Sequence, residues 1–306
     1  MLMKKFLAWV LMLSMVLGLL CGCSDTDSSS DRRSKRKNRD KDQEIEDRVD
    51  DDDEDKKDNL KVTIEETVVY DENDIKVTVT GLKSTYSGQE FKVKVENNSD
   101  KNIAVSGDVF VVNGIMVDGW LYVEAAAGKK ANGTLTFFND SMETAGIEEL
   151  AVVVATDARV VDTDSYDTLF EIPFTLETSI ADEYVQAIDD SGDVIFESEG
   201  VTVIAKTVNT DGDLGTTVVL LVKNETGKNI IIESDNVSVN DYTIDAWMYD
   251  LLMADTVRFC ELIIWSSVLE ENEIDEVEEV AFTLSVRYDD SWDTHCESDE
   301  LTISVK

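Results

Sequence analysis

The sequence predicts an all-β protein in which two tandem antiparallel β-sandwiches follow an export segment and a charged tether. Three observations predict it. The first is a repeat. Asn97, Lys101, Asn102, Ile103, Asp108, Val112, Asn113, Asp118 and Trp120 recur, ungapped and 127 residues later, as Asn224, Lys228, Asn229, Ile230, Asp235, Val239, Asn240, Asp245 and Trp247. The second is period-2 alternation of apolar and polar residues in both copies, the mark of half-buried antiparallel strands. The third is the even spacing of turn residues between those runs, with no long amphipathic helix.

The export segment comes first. Lys4 and Lys5 precede an apolar run, Phe6–Leu20, broken only by Ser14 and Gly18. That run has the length of a signal h-region, shorter than the ~20 residues of a membrane span. Leu20-Cys21-Gly22-Cys23-Ser24 follows. It resembles the lipobox of bacterial lipoproteins, with Leu at −3, a small residue at −1, and then the Cys that is lipidated. Cys23 fits this pattern, and Cys21, preceded by the bulky Leu20, does not. The resemblance implies cleavage after residue 22, acyl chains on Cys23 and residence at the extracellular face of the cell membrane. The alternative is an ordinary secretory signal or an uncleaved anchor.

Residues 24–59 form the tether. Only Ile45 and Val49 interrupt its polar run, so it cannot bury enough surface to order itself. Random-coil scaling gives it a reach of roughly 35 Å. Its charge is segregated: a basic block spans Arg32–Lys41, and Asp50–Asp55 is wholly acidic. The basic block can meet anionic headgroups or wall polymers, at about 1 kcal/mol per residue near the surface, or simply pair with the acidic block.

The formal net charge is −39. The tether holds 10 Lys/Arg against 15 Asp/Glu, so most of the negative charge belongs to residues 60–306. Such a surface repels nucleic acid and favours cations or basic partners. With 42% hydrophobic residues the chain can still build real cores.

The first copy is expected over 60–178 and the second over 181–306. Ile75, Val77 and Val79 share one strand face, and Phe91, Val93 and Val95 another. Leu135 and Phe137 do the same, with Val201, Val203, Leu262 and Ile264 in the second copy and Leu301–Val305 near its end. Turns are expected at Asp71–Asp74, Tyr86–Gly88, Asn97–Asp100, Asn113-Gly114 and Gly128–Lys130. One helical turn is expected at 142–150 and again at 269–277. Val93–Lys101 with Asp108–Asn113, and the copy at Val222–Asn240, make the layout similar to tandem immunoglobulin-like domains of unknown function in Gram-positive cell-envelope lipoproteins. The resemblance implies immunoglobulin-like sandwiches and an unidentified extracellular protein, glycan or wall polymer as partner. It carries over no catalytic residues, and the Cys…Trp…Cys core of antibody domains is absent.

Asn97 and Asn224 enter turns, where Asn tolerates φ > 0 and bonds the backbone. In Asp118-x-Trp120 and Asp245-x-Trp247 the two side chains face the same way if the strand is regular. They form either an exposed recognition pair or a core indole beside an irregular stretch, since an unpaired buried Asp is costly. Cys260 and Cys296 both lie in the second copy. They form a disulfide, as an extracellular location permits, or remain buried thiols. His295 beside Cys296 points to the opposite face, which argues against a nucleophile pair. Asp162, Asp164 and Asp167, and then Asp289, Asp290 and Asp293, are weak Ca²⁺ candidates, with solvated turn acids as the default. Asn209–Asp213 lacks the Gly and Glu positions of an EF-hand. With one His, no Gly-x-Ser-x-Gly elbow, no zinc spacing and no phosphate loop, the sequence is expected to be non-catalytic and to need no cofactor. Two readings remain: a membrane-anchored binding module, or a structural spacer of the envelope.

Overall fold

Strands form where side chains alternate. In the first copy they are β1 (Thr67–Glu72), β2 (Ile75–Thr85), β3 (Gly88–Asn97), β4 (Ile103–Val112), β5 (Ile115–Ala125) and β6 (Lys130–Phe138), then helix α1 (Asn139–Thr144), β7 (Val152–Ala155), β8 (Arg159–Asp162), β9 (Thr168–Glu171) and β10 (Phe174–Glu177). The second copy holds β11 (Asp193–Ser198), β12 (Val201–Gly212), β13 (Gly215–Asn224), β14 (Ile230–Val239), β15 (Tyr242–Thr243), β16 (Tyr249–Leu252) and β17 (Thr256–Trp265), then α2 (Ser266–Glu271), β18 (Glu279–Tyr288), β19 (Thr294–Glu297) and β20 (Leu301–Ser304). The computed structural model describes residues 62–86, 88–212 and 214–305. Cys23, the export segment and the tether lie outside the described residues.

The offset of 127 residues seen in the sequence holds, within a residue or two at the ends, from β1 onto β11 through β10 onto β20. The alternating residues named above face inward as expected: Ile75, Val77, Val79, Phe91, Val93, Val95, Leu135 and Phe137 are buried in one core, and Val201, Val203, Leu262 and Ile264 in another. Both helical turns begin three residues earlier than expected. The first ends before Gly146 and the second before Glu273, each with φ near +60°, the left-handed residue that stops a helix.

The repeated asparagines explain themselves. Buried Asn97 donates Nδ2 to the carbonyls of Lys101, Ala125 and Ala126, at 2.8, 2.9 and 3.1 Å. Its Oδ1 accepts from the N–H and hydroxyl of Ser99. Asn224 repeats this bracket on Lys228, Leu252, Met253 and Thr226. Asn113 clasps Glu149, Ala151 and Val152, and Asn240 clasps Glu276, Glu278 and Glu279 in the same way. Each satisfies backbone groups that would otherwise be stranded beside the core.

The sheets are sandwich-like, but the copies are not separate bodies. One sheet runs β1-β2-β3-β6-β5-β17-β13-β12-β11, crossing from the first copy to the second through a parallel pairing of Ile115–Met116 with Val257–Arg258. In the first copy β5 pairs with both β4 and β6 and so joins the two layers. Its counterpart in the second copy is split into β15 and β16, which pair only with β14. The β6 counterpart, β17, therefore takes β13 on one side and the first copy's β5 on the other. Val111 and Met116 of the first copy are buried in the second core, while Val257 and Phe259 pack against the first. Each such side chain contributes about 1.5–3 kcal/mol when fully buried, and the described residues belong to one compact unit.

Candidate functional site

Strand β5 displays Asp118, Trp120, Tyr122 and Glu124 on its exposed face, alternating with buried Val117, Gly119, Leu121, Val123 and Ala125. The strand is regular here because Gly119 passes close over two rings. A Cβ at that position would lie 2.7 Å from Phe110 and 3.1 Å from Phe137. Asp118 and Trp120 therefore do face the same way. In the second copy Ala246 stands where Gly119 does, and the chain from Ile244 to Met248 leaves the strand path. Ser234, which replaces Gly107, holds this excursion by exchanging hydrogen bonds with the Met248 backbone.

Both indoles are exposed, Trp120 at 57% and Trp247 at 67%, so the core-packed alternative is overturned. The two Asp-x-Trp pairs are nevertheless not equivalent. Asp118 pairs with Arg258 of the second copy at 2.8 Å, and Asp245 is exposed in the bend between β15 and β16. The structure brings Asp118 together with Trp247 instead. They line a cleft of about 350 Å³ at the seam, with Asp140, Asp250, Arg258 and Glu261.

Arg258 bridges the copies by holding Asp118 on one side and Asp250, at 2.9 Å, on the other. Burial works against the guanidinium charge, yet Asp250 and Asp118 hold its pKa above the ordinary value. Burial raises the Asp250 carboxyl despite the pairing. Glu261 is also raised, first by burial and then by Asp118 and Asp250. Asp140 and Glu261 have no ion-pair partner among the described residues. The cleft thus holds four carboxylates against one committed cation, with the exposed Trp247 indole also lining it. Such a surface attracts an organic cation by charge and by the π face of the ring. The second copy's share of this cluster has no counterpart in the first: Arg258, Cys260 and Asp250 occupy the positions of Ala131, Gly133 and Val123.

Of the two alternatives for the cysteines, the disulfide is not formed and the buried thiols are what is found. Cys260 and Cys296 are free, buried thiols that pack in the second core as small hydrophobes. Burial raises both thiol pKa values, with Asp250 adding to the effect at Cys260 and Glu199 at Cys296. The Ca²⁺ candidates do not converge. Asp162 accepts an ion pair from Lys101 at 2.7 Å and caps the N–H groups of Asp164 and Ser165, and these contacts lower its pKa, that of Lys101 first. Asp164 accepts from Asn102, and Asp289 from Asn229. Among the described residues no three His, Cys, Asp or Glu side chains are grouped to hold a metal. His295 lies beside Tyr288 and the Glu199 carbonyl.

No family model matches the chain, and no curated protein matches it. Among solved structures the chain is similar to a conserved domain protein from Bacillus anthracis. They share 13% identity over 80% of this chain and 92% of that one, with a TM-score of 0.28. It is also similar to a glycosyl hydrolase family 2 member from Bacteroides cellulosilyticus DSM 14838, at 15% identity and a TM-score of 0.20, covering 71% of this chain and 28% of that one. Neither likeness bears on the site.

Sequence reasoning missed Arg258, Asp250 and Glu261, which become neighbours of Asp118 only through the seam. A signal for the aromatic face was present: Tyr122 and Tyr249 continue the repeat two residues beyond Trp120 and Trp247.

Proposed function

We propose that this chain is a non-catalytic binding module, tethered outside the cell by a lipid on Cys23 and presenting two fused immunoglobulin-like sandwiches to a basic segment of an extracellular protein. The observation that carries the reading is the seam cleft, which Trp247 lines together with Asp118, Asp140, Asp250 and Glu261, with Arg258 as the one cation among them. A lysine or arginine side chain entering the cleft meets uncompensated carboxylates and an aromatic face. The net charge of −39 adds long-range attraction for the same partner.

The test is calorimetric titration of the full-length chain with tetralysine and with its fully side-chain-acetylated analogue. The expected result is that tetralysine binds, that its affinity falls as salt rises, and that the Asp140→Asn/Glu261→Gln double variant loses most of it. Equal binding of the acetylated peptide would sink the reading. The anchor is checked by fractionation: Cys23→Ala is expected to move the protein from membrane to medium.

The continuous sheet supports a second reading, a stiff spacer in the envelope, because a shared sheet and interlocked cores resist bending at the seam. That reading expects no binding of either peptide.

A further inference from the structure

The exposed face of β5 continues past Asp118 to a second surface built wholly in the first copy. Trp120 and Tyr122 lie side by side, ring centroids 6.2 Å apart and tilted by 34°. They form one wall of a groove of about 320 Å³ whose far side is Tyr166, in the turn between β8 and β9. Tyr166 is 81% exposed and its φ is +62°. The turn is held open by Asp162, which accepts N–H bonds from Asp164 and Ser165 while the Asp162 carbonyl accepts from the Tyr166 N–H at 2.8 Å.

Three exposed aromatic side chains line this one groove, and a contiguous exposed patch of this kind marks a binding surface. The same groove is lined by polar groups: Ser106, Asp108, Arg159, Thr163 and Thr168. These offer hydroxyl donors and acceptors and a carboxyl. Arg159 is paired with Asp157 at 3.1 Å, so Asp108 is left without a cation of its own, and the groove offers no net positive charge to an anionic ligand.

We propose that this groove is a binding site for a neutral oligosaccharide. A sugar ring has an apolar C–H face and a polar rim. The apolar face stacks on Trp120, Tyr122 or Tyr166, and the rim hydroxyls bond the polar groups that line the groove. A peptide side chain would use one ring, whereas a run of sugar units uses adjacent tilted rings together. Anionic polysaccharides are excluded by a chain charge of −39. The second copy does not repeat the groove. Its Tyr249 hydroxyl accepts from Arg287 at 3.0 Å, that guanidinium also lies against the Trp292 ring, and Asp293 stands where Tyr166 does.

The experiment is titration of the full-length chain with cellohexaose, mannohexaose and N-acetylchitohexaose, with dextran sulfate as the anionic control. At least one neutral hexaose is expected to bind more tightly than dextran sulfate. Trp120→Ala and Tyr166→Ala are each expected to weaken that binding about tenfold or more, Trp120→Phe less, and Trp247→Ala not at all. Trp120→Phe keeps a ring in place should the alanine variant fold poorly. No binding of the three hexaoses, tighter binding of dextran sulfate, or binding untouched by Trp120→Phe and Tyr166→Ala overturns the proposal. The seam cleft is probed by other residues and another ligand, so failure at one site leaves the other standing.

Discussion

The two copies share a register of 127 residues and break it in complementary places. The first has an uninterrupted β5 and a second layer broken between β7 and β8 at Thr156–Ala158. The second has an uninterrupted β18 there and a broken counterpart of β5. At the first break Asp157 does structural work, accepting the N–H groups of Asp108 and Val109 where β4 bulges. At the second break the chain leaves one side of β17 unpaired by its own copy, and the first copy's β5 pairs with the start of that strand, at Val257–Arg258. Duplication thus produced two elements that no longer fold alike, and the difference is what joins them. The second copy acquires a polar seam at Arg258, Asp250 and Cys260, while the first keeps Ala131, Val123 and Gly133 and a regular aromatic face on β5.

Removing Arg258 breaks this difference most directly. Arg258→Ala leaves Asp250 buried without a cation, and is expected to destabilise the chain by about 3–5 kcal/mol. Arg258→Ala combined with Asp250→Val, which copies the first repeat, should recover much of that in urea denaturation. A double variant as unstable as the single one would show that the seam needs its charges.

A smaller effect tests the strand break. Gly119→Ala pushes a methyl group against Phe110 and Phe137 and should cost about 1–3 kcal/mol by overpacking. Ala246→Gly, at the matching position in the second copy, is expected to cost less than about 1 kcal/mol. Comparable losses at both positions would mean that Gly119 does not set the straightness of β5.

The smallest effect is pH-dependent and belongs to the first copy only. Asp108 faces the Asp157 carboxyl, with Arg159 as the nearby cation. Its hydrogen bond to Asp157, then burial and the Asp157 charge, raise its pKa from 3.8 to about 6. Asp157 is lowered: burial opposes the shift but is outweighed by its bonds to Asp108 and Val109. A folded-state pKa above the unfolded one means that the fold holds an extra proton between about pH 4 and 6. This contribution is complete below that window and is lost as pH rises through it. Asp108→Asn keeps a donor toward Asp157 without the charge. It should stabilise the chain above pH 6 by less than about 1 kcal/mol, since Asp108 is exposed and screened, and give no gain near pH 4. A gain of equal size at both pH values would show that the pair does not titrate this way.

Much of the fold was legible because it is local. Alternation at Ile75–Val79 or Phe91–Val95 reports a buried strand face regardless of what lies across it. An Asn bracket such as Asn97 or Asn113 works within its own turns and the strand ends beside them, so a repeat of the letters was a repeat of the structure. Asp118 and Trp120 read correctly as neighbours on one face, because a two-residue period is a property of the strand itself. The sequence alone determined the β class, the copy number and register, and the turn chemistry of the scaffold. The pairing of Asp118 with Arg258, the union of Asp118 with Trp247 in one cleft, the free thiols of Cys260 and Cys296, and the merging of two sheets into one were decided only by the tertiary structure. Each depends on which edge is left unpaired once β15 and β16 diverge, and on side chains 100 residues and more apart meeting across the seam, and no local periodicity encodes such a meeting.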